Sequence, residues 1–141
     1  MIVVDANVLI YAHNADSPLH SRARTWLEAS LSGKDSVGFA WSTITAFLRI
    51  ATNRRALDHP LTIEQAASIV GSWLASPAAV VLVPGPNHWS VLSGLLQSGQ
   101  ATGNLVPNAH LAALAIEHGA TLISSDRDFA RFPDLEFEHL G

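Results

Sequence analysis

The chain has 141 residues, of which 48% are hydrophobic and 14% charged, and it carries a net charge of −4. That apolar content excludes a disordered chain, and the length suits one domain spanning residues 1–141. The lack of cysteine excludes disulfides and thiolate metal sites, so any metal must be held by oxygen or imidazole.

The N-terminus enters a strand directly at Ile2–Asp5, with no basic region of the kind that opens a signal peptide. No apolar run is long enough to span a bilayer, and the expectation is a soluble, cytoplasmic protein with no membrane contact. A short helix follows from Asn7 to about His13. Ser17-Pro18 reads as a cap and first-turn proline for a helix to about Leu31, with Ala23, Trp26, Leu27 and Leu31 on one face. A turn at residues 32–35 leads to a strand over Val37–Trp41 and a helix over Thr43–Asn53. His59-Pro60 breaks the chain.

Thr62 and Gln65 form a capping box for a helix to about Leu74. A strand at Ala79–Val83 stops at Pro84-Gly85-Pro86. Asn87 reads as the cap of a helix through Leu96, followed by a polar, flexible turn at Gly99–Gly103. Pro107 starts a helix that Gly119 ends. A strand at Leu122–Ser124, a short helix containing Phe129 and a strand near Leu135–Phe137 complete the pattern. Strands alternating with helices predict an α/β fold with a mostly parallel central sheet flanked by helices.

Two acidic segments carry the chemistry. Met-Ile-Val-Val-Asp-Ala-Asn opens the chain, and Thr-Leu-Ile-Ser-Ser-Asp-Arg-Asp-Phe occupies 121–129. Each is an apolar run that stops on aspartate, where burial of an unpaired charge is costly. In a parallel sheet Asp5, Asn7, Asp126 and Asp128 all emerge at the edge where α/β folds place ligands. Converging carboxylates repel one another unless a cation lies between them, and an oxygen-rich set favours Mg2+ or Mn2+. The alternative is that each Asp caps the helix that follows it.

With these segments, Ala-His-Leu-Ala-Ala-Leu-Ala-Ile-Glu-His-Gly at 109–119 and Phe47-Leu48-Arg49 ahead of Asn53-Arg54-Arg55 complete a set of motifs. In this order and spacing the chain resembles the PIN-domain ribonucleases, and within them the VapC-type toxins of toxin–antitoxin pairs. The resemblance implies a three-layer PIN-like fold and an acidic quartet that binds Mg2+ or Mn2+ and hydrolyses RNA. Carried over by position, Asp5 is the first acid, Asp126 the fourth and Asp128 an accessory, with Asn7 supporting Asp5 and Ser125 flanking Asp126. The chain departs twice from the pattern. Ala46 stands where the second acid is a Glu, and Asn108 stands where the third is an Asp. An amide oxygen can coordinate a hard cation but brings no charge and no general base, so one metal is expected rather than a bridged pair.

The resemblance also implies a homodimer and a cognate antitoxin that covers the cleft. Arg49 is a candidate contact for RNA or antitoxin; the alternative for Arg49, Arg54 and Arg55 is interaction with a helix C-terminus. Arg127, between two acids, is expected to pair with one of them. The seven histidines show no metal-ligand spacing and are expected to be surface residues or to have satisfied partners. The four tryptophans are expected in the core. Three functions compete: a metal-dependent endoribonuclease that cuts tRNA or rRNA; a binding module that has lost catalysis, for which Ala46 and Asn108 speak; and a phosphatase with Asp5 as nucleophile, for which a second Asp two residues on is missing.

Overall fold

The computed structural model describes residues Met1 to Gly141. Five parallel strands, β1 (Ile2–Val4), β2 (Val37–Ala40), β3 (Ala79–Leu82), β4 (Thr121–Ser124) and β5 (Glu136–His139), form one sheet in the order β3-β2-β1-β4-β5. Six α-helices flank it: α1 (Ala6–His13), α2 (His20–Leu31), α3 (Trp41–Ala51), α4 (Ile63–Leu74), α5 (His88–Ser98) and α6 (Val106–Glu117). Short 3-10 turns precede α6 at Gly103–Leu105 and follow β4 at Arg127–Arg131. No helix is long and apolar enough to cross a membrane.

The strands are apolar because helices cover both faces of the sheet. On one face α1 to α4 bury Leu9, Leu27, Ile44, Phe47 and Trp73 against Val4, Phe39 and Ile123. On the other, α5 and α6 bury Leu95, Leu111 and Leu114 against Val3, Leu82 and Leu122. The result is three layers, as the sequence pattern predicts. β5 lies at the sheet edge with Glu136 and Glu138 exposed. These charges protect the edge from further pairing, and they also hide the strand from a hydrophobicity reading, which is why it was expected near Leu135–Phe137.

Several boundaries differ from expectation for local reasons. Ser17 does not cap α2: its hydroxyl accepts the Leu19 N–H at 3.1 Å and forms a turn that delays the helix to His20. Asn87 makes no side-chain cap on α5. The helix after β2 begins at Trp41 rather than Thr43, because the strand ends at Ala40. The Thr62–Gln65 capping box forms in both directions, at 3.1 and 2.9 Å.

Gly119 takes φ +61° after the last residue of α6. Its N–H reaches Ile116 and the Ala120 N–H reaches Ala115, the paired closure that satisfies the last helix carbonyls. A Cβ would meet no neighbour within 4 Å, so only backbone strain opposes alanine there. Gly119→Ala is expected to lower stability by about 1–2 kcal/mol in urea denaturation. No loss would mean that the turn relaxes freely.

The tryptophan expectation holds in part. Trp73 is 3% exposed and stacks on Phe39, whereas Trp41 and Trp89 are 56% and 69% exposed. Both exposed rings sit at helix N-termini, where the chain turns out of the sheet layer. The histidines other than the exposed His13 find hydrogen-bond partners, and His88 bridges the Glu117 carboxylate and the His110 ring, tying the start of α5 to α6.

Candidate metal centre

β1 and β4 are neighbours in register, with Val4 beside Ile123, and the Asp5 N–H extends the ladder to the Ile123 carbonyl at 3.0 Å. The residues that follow therefore leave the sheet side by side. Asp5 is half-buried and caps α1, its Oδ1 accepting the Ala6 N–H at 2.8 Å. Its Oδ2 accepts the Ser124 hydroxyl at 2.7 Å and the Asn7 amide at 3.3 Å. Asp126 caps the following 3-10 turn, its Oδ1 accepting the Asp128 N–H at 2.9 Å. Its Oδ2 faces the Asn108 amide at 3.3 Å, contributed by the first turn of α6. Capping and convergence on one site are thus the same arrangement here: one oxygen of each Asp holds a helix end and the other faces its neighbours.

Ser124 is the hub that the sequence reading missed. It is fully buried, donates to Asp5, and accepts from the Asn7 amide at 3.0 Å and the Asp126 N–H at 3.0 Å. One donor and two acceptors exhaust what a hydroxyl offers. Ser125, the expected flanking hydroxyl, points elsewhere: its Oγ contacts the Tyr11 hydroxyl at 3.4 Å, and only its backbone N–H joins the site, bonded to Asn7 Oδ1. In β4 a fully buried polar residue at the last position marks the hydroxyl that faces the site.

Burial pushes the Asp5 carboxyl above its ordinary value. The Ser124 hydroxyl and the Ala6 N–H pull it back, and the charge of Asp126 raises it again. No cationic side chain forms an ion pair with Asp5 or Asp126, so the edge is electrostatically short of a positive charge.

Other expected members do not join. Asp128 is exposed, and its carboxylate leans toward Arg131 at 3.9 Å. No group of three or more acidic, histidine or cysteine side chains is placed so that together they could hold a metal ion. Arg127 is exposed and forms no ion pair with either flanking acid. Arg49 lies exposed in the last turn of α3, which begins at the site edge and carries it roughly 12 Å down the helix. Its place suits the helix C-terminus. Ala46 leaves α3 without a carboxylate. Surface hollows of about 620 and 570 Å3 lie away from the acids.

The PIN domain family model matches residues 2–135. Ribonuclease VapC37 of Mycobacterium tuberculosis is 45% identical over 138 residues, covering 98% of this chain and 96% of that one. VapC ribonuclease Mb2897 of Mycobacterium bovis is 42% identical, with coverage of 99% and 95%. Among solved structures, VapBC2 from Rickettsia felis, bound to a DNA fragment from its promoter, superposes with a TM-score of 0.69 over all of both chains at 19% identity. Mycobacterium tuberculosis VapC20, described as a Sarcin-Ricin loop cleaving toxin, gives 0.65 at 18% identity, covering 96% of this chain and 99% of that one.

Proposed function

The chain belongs to the PIN-domain family, in its VapC branch, and from that premise we propose that it is a metal-dependent endoribonuclease toxin held inactive by a cognate antitoxin. The observation that carries the reading is the meeting of Asp5, Asp126 and Asn108 at the carboxyl edge of β1 and β4. The substrate class is taken from the VapC ribonuclease relatives, with a structured RNA such as tRNA or rRNA as the target.

The donor set fits one hard cation. Two carboxylates, joined by the Asn108 amide oxygen once that amide turns over from its Nδ2 contact with Asp126, leave positions for water and a substrate phosphate, as Mg2+ and Mn2+ sites commonly do. A bound cation there supplies Lewis acidity toward the phosphodiester and a more acidic water. Asp5, Asp126 and Asn108 would hold it. Ser124 and Asn7 keep the Asp5 carboxylate in one orientation, and the 3-10 turn does the same for Asp126. Antitoxin binding would silence the enzyme by covering this edge, with an arginine able to pair the two carboxylates.

Asn108 lowers the charge of the site, and the second reading, a PIN-fold binder without turnover, rests on that residue and on Ala46. One experiment separates the two. Cleavage of total RNA is measured with Mn2+ and with chelator, for the chain as it stands and for Asn108→Asp. The nuclease reading expects chelator to abolish cleavage, and the aspartate, which adds a charge beside Asp126, to tighten Mn2+ binding by about tenfold or more. RNA binding that is indifferent to chelator, with no cleavage from either protein, would establish the binder. A folded Asn108→Asp with unchanged Mn2+ affinity would remove residue 108 from the metal site.

A further inference from the structure

We propose that Arg131 is a positioning residue that sets the spacing of Asp126 and Asn108 across the cleft, by tying the turn after Asp126 to the C-terminus of α5. The proposal rests on the reading of residues 108 and 126 as two sides of one metal site. Asp126 is not held by β4 alone: one of its oxygens is committed to the Asp128 N–H at the start of the 3-10 turn 127–131. Whatever fixes that turn fixes the carboxylate. Phe129 and Phe132, 1% and 2% exposed, anchor the turn on its apolar side. Arg131 anchors it on the polar side, with Nη1 donating to the Gly99 carbonyl at 2.7 Å.

Gly99 is the C-terminal cap of α5, where helix carbonyls lack partners and partial negative charge collects. A guanidinium placed there is favoured electrostatically. Gly99 also presses on Phe132 so closely that a Cβ would stand 2.6 Å from the ring, so the two segments are in contact at both ends of the bond. From Gly99 the chain passes through a left-handed Gln100, at φ +48°, and the 3-10 turn 103–105 into α6, whose first turn carries Asn108. Arg131 thus joins the segment that orients Asp126 to the segment that delivers Asn108, and those two side chains meet at 3.3 Å.

Packing alone does not call for arginine here. Its Nε is buried with no protein partner, and its reach to Asp128 is a loose 3.9 Å. An apolar side chain of similar length would fill the same space without leaving that donor unpaired. The one well-made bond is the tether to Gly99.

The test uses the full chain, with Arg131→Met and Arg131→Lys, read by NMR of the Asn108 side-chain amide and by calorimetric titration with Mn2+ alone. The methionine variant is expected to shift the Asn108 amide signals and weaken Mn2+ binding about tenfold, while lysine, whose ammonium can reach a single carbonyl, stays within about twofold of the parent. Should the methionine variant fail to fold, Arg131→Gln, too short to reach Gly99, is read in its place. Unmoved Asn108 signals in a folded Met or Gln variant overturn the proposal, as does an equal effect from lysine. If the parent binds no Mn2+ and the Asn108 signals still move, the positioning role stands and the metal reading fails.

Discussion

Asp5→Asn is expected to reduce Mn2+-dependent cleavage by about 10²–10³-fold while leaving the fold intact, the scale of removing one preorganised electrostatic group from an active site. Asparagine is as good a helix cap as aspartate, so α1 keeps its start. Stability should separate from activity. Burial, the largest influence on Asp5, raises its carboxyl in the folded state, so the folded chain holds that proton more tightly than the unfolded one. A group of this kind contributes stability below its unfolded pKa, and that contribution is lost as pH rises through the folded pKa. At neutral pH without metal the ionised carboxylate is therefore a burden, and the asparagine variant should melt at or above the parent in chelator.

With Mn2+ the order reverses. Binding to the folded state at a hundredfold excess over the dissociation constant adds about 2.7 kcal/mol to the parent, and the variant should gain far less. Melting curves in chelator and in Mn2+ read both effects. An equal Mn2+ response in the two proteins would remove Asp5 from the site.

Phe47→Ala should be the most destabilising substitution outside the site, costing about 3–5 kcal/mol in urea denaturation. Phe47 is fully buried, and its ring meets Trp73 edge-on at a centroid distance of 4.7 Å. Trp73 in turn stacks on Phe39 at 5.8 Å, so one truncation loosens α3, α4 and β2 together. The expected loss is a large part of the roughly 5–15 kcal/mol that holds a typical domain folded. Phe47→Leu, which leaves a smaller void, should lose distinctly less. A cost under about 1 kcal/mol for the alanine would mean that the cluster repacks around the gap, contrary to the close packing usual in protein interiors.

The strands, the parallel sheet and the two acidic ends were legible because they rest on local patterns. A run such as Ile-Val-Val before Asp5 can hardly be anything but a buried strand, and Gly119 after an apolar helix is a stop with a physical cause. What escaped the sequence depends on one-residue precision or on distant partners. Whether Ser124 or Ser125 turns its hydroxyl to Asp5 is decided by where β4 gives way to the 3-10 turn. Asp128 was expected as an accessory beside Asp126, yet two residues of a tight turn carry it out to solvent and toward Arg131. The His88–Glu117–His110 chain joins two helices whose pairing no spacing rule announces. Trp41 and Trp89 were assigned to the core by size alone, and size does not tell which side of a helix end faces the sheet.

The pairing of β1 with β4 also bears on how the protein is made. Ile2 leaves the ribosome long before its neighbour Thr121. Asp5 must wait for Ser124, and Asn108 for Asp126, so no partial chain holds the assembled cluster. Pairing across so long a stretch of chain is slow to form. A growing chain therefore lacks the assembled cluster until β4 and the turn after it have been added.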